Sequence, residues 1–291
     1  MKPIEQHEEH DDDRPIGRIL SRREVLSLLG GAGAALVVGT GFTRLNLNQL
    51  AATATPEATP EATASLPACV VQPALTEGPY FVDEMLNRSD IRVEPSDGSI
   101  KAGVPLKLTF RVSHITGSAC APLAGAQVDV WHCDAQGVYS DVKDRTFDTS
   151  GKKFLRGYQV TDKDGNATFL TIYPGWYQGR TVHIHFKIRL GSASSQGYEF
   201  TSQLFFDDAL SDQIFKQAVY AGKGTRGTRN NNDNIYQQGS SGQLTLQLVK
   251  DKEGDGYSAV FDIGLDVSEA DLAAATAAAS LSATATTTPA G

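Results

Sequence analysis

From Val104 to Ile263 the chain is cut into short β-patterned runs separated by turn residues, and this spacing constrains the fold more than any other feature. The run Val104 to Ile115 places Leu106, Leu108 and Phe110 on one face, the period-two signature of a half-buried strand. Ala126 to Trp131 alternates Val128 and Val130 with Asp129 and Trp131. Phe154 to Thr161 and Ala167 to Tyr173 flank Asp162-Lys163-Asp164-Gly165, a hairpin turn ending in Asp-Gly. Thr181 to Leu190, Glu199 to Phe206, Leu244 to Lys250 and Tyr257 to Ile263 complete about eight strands. One short helix is predicted over Ser211 to Tyr220, with Ser211 as N-cap and Ile214, Phe215, Ala218 and Val219 buried. The pattern predicts an all-β fold, a β-sandwich of about eight strands with long loops forming a metal site and one short helix.

Two loops are long for a compact domain. Asp134 to Lys153 carries Tyr139 and reads as functional, whereas the Asn-rich Ala221 to Gly242 reads as a surface excursion. The folded unit is expected over residues 69–266, long enough to bury one sizeable core. Residues 1–54 read as a twin-arginine-type export signal, with Arg22-Arg23 ahead of a weakly hydrophobic, glycine-containing stretch from Leu28 to Phe42. That stretch is short for a stable span, so membrane contact is expected only through the export signal, and the mature protein is placed outside the cytoplasm of a bacterium, secreted, periplasmic or on the cell surface. Residues 55–68 repeat Thr-Pro-Glu-Ala and read as a flexible linker. Residues 267–291 form an Ala/Thr-rich tail, with a helical turn or two expected over Glu269 to Ala279 and disorder beyond. A formal net charge of −8 leaves no basic stripe for neutralising phosphates, which excludes a nucleic-acid partner. The three cysteines, Cys69, Cys120 and Cys133, allow one disulfide with one thiol left over. Cys120 and Cys133 flank a strand that keeps them apart, so Cys69 is expected to pair with one of them.

The residues that carry chemistry begin with Arg180-Thr181-Val182-His183-Ile184-His185-Phe186. Positions i and i+2 of a strand share a face, so His183 and His185 project together as a chelating pair. Two histidines rarely suffice, and the neighbouring loops supply Tyr177 after the Pro174-Gly175 turn and Tyr139 after Gly137-Val138. A phenol with a pKa near 10 becomes a ligand at neutral pH only beside a strong Lewis acid; Fe(3+) suits it and Zn²⁺ and Mg²⁺ do not. His132 reads as a satisfied buried histidine, His114 as a surface residue, and Trp176 and Tyr80 as candidate walls of the site.

These segments resemble the intradiol ring-cleavage dioxygenases, the family of protocatechuate and catechol 1,2-dioxygenases. The resemblance runs from Thr76-Glu77-Gly78-Pro79-Tyr80-Phe81 through Pro122-Leu123-Ala124-Gly125-Ala126 and Val130-Trp131-His132-Cys133-Asp134 to Thr161-Asp162, Asp164-Gly165, Pro174-Gly175, His183-x-His185 and Gln203-Leu204-Phe205-Phe206. It implies Fe(3+) held by Tyr139, Tyr177, His183 and His185, the tyrosine–histidine pairs Tyr139/His183 equatorial and Tyr177/His185 axial. It further implies that Arg180 stabilises negative charge on substrate, that Gln203 lies near the oxygen position, and that Tyr177 leaves to act as a base. The implied partners are a small aromatic diol and O2, and the implied products are cis,cis-muconate-type diacids. The motifs point to an exported, single-domain branch. In typical members a longer insertion separates the tyrosine from the arginine; here only Gln178 and Gly179 intervene, which implies a smaller pocket wall. A transthyretin-like surface module shares the Val-Asp-Val-Trp and Thr-Asp-Lys-Asp-Gly patterns, but it requires neither His-x-His nor paired tyrosines.

Overall fold

The structure, a computed structural model, describes residues 70–117, 119–191, 197–239, 242–252 and 254–285. The expected signal and linker lie outside the described residues.

Nine strands are found among the described residues, in two sheets. They are β1 (Pro105–Thr116), β2 (Ala119–Pro122), β3 (Gln127–Trp131), β4 (Arg156–Val160), β5 (Asn166–Ile172), β6 (His183–Leu190), β7 (Tyr198–Phe205), β8 (Val249–Lys250) and β9 (Tyr257–Leu265). In the larger sheet β1 is the long central strand. Its first part pairs antiparallel with β5 and its last four residues with β2, while β9 runs parallel along its other edge. The smaller sheet has the order β4-β3-β6-β7, all antiparallel.

The predicted alternation decides which residues fill the core. Leu106, Leu108, Phe110 and Val112 of β1 are buried, as are Val128 and Val130 of β3 and Ile184, Phe186, Ile188 and Leu190 of β6. The sheets meet through rings. Phe186 lies 5.2 Å from Phe110 and 5.4 Å from Phe261, centroid to centroid. The chain before β1 ties the two sheets together: Leu86 and Arg88 exchange backbone hydrogen bonds with Tyr158 of β4, and Ser89 and Ile91 with Leu170 of β5.

The elements depart from expectation in four places. Residues 244–250 form a strand only at Val249–Lys250; Leu244 and Leu246 are buried, and Thr245 makes a single parallel bridge to Phe205. The helix over 211–220 is split into α1 (Asp208–Ile214) and α2 (Ala218–Ala221). Its N-cap is Asp207, which accepts from the Leu210 amide, whereas Ser211 is buried inside α1 with its hydroxyl 2.6 Å from that of Tyr173. The Asn-rich loop is not a mere excursion: it contains a 3-10 turn (Asn230–Asn232) and α3 (Asn234–Gln238). Finally, α4 (Glu269–Ala285) is longer than the turn or two expected, and Ala275 and the partly buried Leu272 pack on the core. Alanine has the highest helix propensity, and this packed edge gives the Ala-rich segment a surface to order against.

Cys120 is engaged in a disulfide, and Cys133 is the free thiol, buried, with its pKa pushed up to about 12 by burial. Cys69 lies outside the described residues.

Candidate metal centre

The outward face of the smaller sheet is largely buried as well, but most of its residues are polar. On β6 it presents His183, His185, Lys187 and Arg189, in register with Phe205, Gln203, Thr201 and Glu199 of β7. Trp131 of β3 stands opposite His185 and stacks on its imidazole, with centroids 5.0 Å apart and planes 11° from parallel. Sheet register thus holds both imidazoles rigidly, as strand alternation predicts.

Two turns bring in the phenols, and Asp134 organises both. Its carboxylate accepts from the amides of Gln136 and Val138, and its carbonyl from those of Gly137 and Gly175. The first turn delivers Tyr139 and the second, through Pro174-Gly175, delivers Tyr177. Gly137 is required at the contact between them: it has φ +75°, and a Cβ there would stand 2.1 Å from the Trp176 carbonyl oxygen. Between Tyr177 and Arg180 the chain makes one tight turn, the Arg180 amide donating to the Tyr177 carbonyl at 3.4 Å with Gly179 at φ +92°. Gln178 and Gly179 are exposed.

Four donor atoms converge. Nε2 of His183 lies 3.1 Å from Nε2 of His185, 3.0 Å from the Tyr177 hydroxyl and 3.4 Å from the Tyr139 hydroxyl. Nδ1 of His183 donates to the Thr181 carbonyl at 2.7 Å, so Nε2 carries the lone pair. Burial holds both histidines well below their usual pKa, His185 further through its neighbour His183 and His183 through Arg180, so both are neutral imidazoles. Separations of 3.0–3.4 Å are what donors bound to one ion at about 2.1 Å would show along the edges of a four- or five-coordinate polyhedron. Among the described residues no three His, Cys, Asp or Glu side chains converge, so the candidate donor set is mixed, two imidazoles and two phenols. Burial drives the phenols the other way, Tyr139 well above 10 and Tyr177 up to about 12, while Arg180 lowers both. Phenolates therefore form here only against a strong cation, which fits a ferric ion and fits Zn²⁺ or Mg²⁺ poorly.

A family model described as "Dioxygenase" matches residues 76–235, more than half of the chain. The chain belongs to the intradiol ring-cleavage dioxygenase family. An intradiol ring-cleavage dioxygenase from Tetranychus urticae is 28% identical with a TM-score of 0.59, over 69% of this chain and 98% of that one. A catechol 1,2-dioxygenase from Candida albicans is 31% identical over 50% of each chain. A chlorocatechol 1,2-dioxygenase from Pseudomonas putida is 30% identical over 45% of this chain and 52% of its own. The chain thus spans about half the length of these two curated relatives.

The remaining residues of this family member fall around the four donors. Arg180 donates from Nη2 to Oε1 of Gln203 at 2.6 Å, and the Gln203 amide donates to the Thr76 carbonyl at 2.9 Å. Tyr80 does wall the site: it stacks on Tyr139 at 4.6 Å and donates its hydroxyl to Asp144 at 2.8 Å. Gly78, at φ +74°, lets the same segment close over His185, whose Cε1 a Cβ there would meet at 3.3 Å. Trp176 is half-buried beneath the Lys223 ammonium, 5.3 Å above its ring. His132 is the satisfied core residue expected, bonded to the Cys133 carbonyl and the Thr171 hydroxyl. His114 is half-buried on β1 rather than on the surface.

Sequence reasoning missed Arg156 and Asp233. Arg156 is buried, donating to the Ser140 carbonyl and hydroxyl and to the Tyr80 carbonyl, so one guanidinium holds both the segment after Tyr139 and the segment bearing Tyr80. Burial lowers its pKa to about 10, which leaves it charged at neutral pH. An arginine on a short strand gives no sequence signal of burial. Asp233 could have been found by its position before α3, where it serves as N-cap.

Proposed function

We propose that the protein is a non-haem Fe(3+) intradiol dioxygenase that cleaves catechol-type rings with O2 to cis,cis-muconate-type diacids. The observation that carries this reading is the convergence of Tyr139, Tyr177, His183 and His185 on one point, their donor atoms 3.0–3.4 Å from His183 Nε2. These four residues would hold the ion. When bound, ferric iron supplies the Lewis acidity that draws electron density from the diol and fixes its orientation toward O2.

The chain's own residues supply the rest. Tyr177 is partly buried and Tyr139 fully buried, so Tyr177 would be the more accessible of the two phenols and the one to take and hold a substrate proton at its hydroxyl oxygen. Arg180, which already lowers the pKa of both phenols, supplies positive charge where the ring gains negative charge. Gln203, anchored between Arg180 and Thr76, borders the oxygen position. Trp131, Tyr80 and Gly78 exclude water from the histidine side. Residues 1–54 and 55–68 are proposed to export the folded domain, iron included, and to tether or space it outside the cytoplasm.

The test is the colour of the purified chain after loading with ferric salt. A red-brown tyrosinate-to-iron band is expected, together with O2 uptake on a panel of catechols. Tyr139→Phe should remove most of the band and the activity. A protein that stays colourless with excess ferric salt refutes the reading.

A further inference from the structure

The loop that follows α2 reaches Arg180 through the side chain of Asp233. Asp233 is 2% exposed. Its Oδ2 accepts from Nε of Arg180 at 2.9 Å and from the Thr181 amide at 2.7 Å. Its Oδ1 accepts from the amides of Ile235 and Tyr236 at 2.8 and 2.9 Å. A carboxylate offers about four lone-pair sites, and four donors fill them. The loop behind Asp233 is itself anchored. Asn230 bridges the Phe206 carbonyl and the Thr181 hydroxyl, and Arg226 and Arg229 pair with Asp208 and Asp212 of α1.

The guanidinium of Arg180 is therefore gripped at two of its three nitrogens, Nε by Asp233 and Nη2 by Gln203. Nη1 has no hydrogen bond among the described residues. A free arginine samples many rotamers, and an unclamped side chain would surrender that freedom each time it met a substrate. A planar group held at two edges has surrendered it in advance.

We propose that Asp233 is a positioning residue, which fixes the plane of the Arg180 guanidinium beside the four donor atoms and keeps Nη1 available to bound substrate. The inference rests on the ring-cleavage reading for its catalytic consequence but not for the clamp itself. Asp233 acts through Arg180, so its removal costs nothing further once Arg180 is gone.

The decisive experiment is a double-mutant cycle on the iron-loaded full chain with Arg180→Met, Asp233→Asn and the pair, read as kcat and KM for catechol and as the visible band. Asp233→Asn is expected to lower kcat/KM by about 100-fold, mostly in kcat, the scale of a displaced catalytic group. The band stays in place, and the loss in the Arg180→Met background vanishes. Losses that multiply overturn the proposal. Should Asp233→Asn not fold, Arg180→Lys, which keeps the charge and drops Nε, must reproduce the same loss of kcat with an intact band; a kcat equal to wild type overturns the proposal. A second arm needs neither iron nor turnover. In the metal-free chain the Arg180 Nε–H should give a slowly exchanging NMR resonance that Asp233→Asn abolishes and Asn230→Ala, which loosens the loop elsewhere, preserves. An Nε–H that exchanges as fast in the wild type as in Asp233→Asn overturns the clamp. A chain that shows this resonance but no band and no O2 uptake would instead refute the ring-cleavage reading and leave the clamp standing.

Discussion

The two faces of β6 are both buried, yet they are buried by different means. Inward, Ile184, Phe186, Ile188 and Leu190 are covered by the other sheet, and packing of apolar surface stabilises them. Outward, His183, His185, Lys187 and Arg189 are covered by loops and by the chain before β1, and each needs a polar partner. Lys187 pairs with Glu77 and Glu199, and Arg189 with Asp129 and Asp83. His183 bonds to Thr181, whereas His185 stacks on Trp131 and its buried Nδ1 has no hydrogen-bond partner among the described residues. The inner face therefore secures the fold without chemistry. The outer face contributes less to folding, because desolvating polar groups offsets much of what their pairing returns, and it carries the candidate site.

The sharpest break in this comparison is His185→Ala against Phe186→Ala, neighbours on opposite faces. His185→Ala should weaken ferric binding by more than about 100-fold, since even outer partners of metal ligands cost about 10–100-fold. O2 uptake should fall to background, while the thermal midpoint of the metal-free chain stays within a few degrees of wild type. Metal analysis, oxygen electrode and calorimetry on one preparation read all three. Phe186→Ala should do the reverse. It removes a fully buried ring packed on Phe110 and Phe261, at a cost of about 3–5 kcal/mol. Below its lowered melting temperature it should still bind iron and give the band. An iron-free Phe186→Ala protein that is folded, or a His185→Ala protein as unstable as Phe186→Ala, would show that the two faces are not separable.

The same contrast explains what the sequence made legible. Period-two alternation located the inner face of nearly every strand, because apolar side chains on one face are the signal itself. It also paired His183 with His185, and the Pro174-Gly175 turn pointed to Tyr177. What covers the outer face was not legible. Residues 70–100 include no strand, so they have no period, yet Gly78, Tyr80 and Leu86 to Ile91 close over that face and bind both sheets. The run Arg229 to Asn234 has the composition of an exposed turn, and only the fold shows Asp233 beneath it, bonded to Arg180. Arg156 likewise carries no sign of burial in the sequence, and its burial follows from the Tyr80 and Ser140 carbonyls that loops bring to it. The helix over 211–220 was misread at its start because Ser211 is a plausible cap, whereas Asp207 caps and Ser211 packs on Tyr173.

One histidine belongs to the inner side, and it sharpens the comparison by pH. His132 continues the alternation of Val128 and Val130 and bonds across the core to the Thr171 hydroxyl of β5 at 2.6 Å. Burial pushes its pKa down to about 4, against about 6.5 in the unfolded chain. The unfolded state therefore binds the extra proton first. Stability from this group is complete above about pH 6.5, declines as pH falls, and is lost by about pH 4. At about 1.4 kcal/mol per pKa unit, the loss reaches at most about 3 kcal/mol. In the metal-free chain His183 and His185, also held low by burial, add to the slope in the same direction, and a bound cation would keep their share, because the unfolded chain still takes up the protons that the folded site refuses. Urea denaturation from pH 7 to pH 4 should thus show two components. His132→Gln should flatten the slope with or without iron, and ferric loading should steepen the part that His132→Gln leaves, since the phenols must also give up their protons to bind. If His132→Gln leaves the metal-free slope unchanged, the inner histidine is not held neutral by the core, and the acid sensitivity of the fold belongs to the outer face alone.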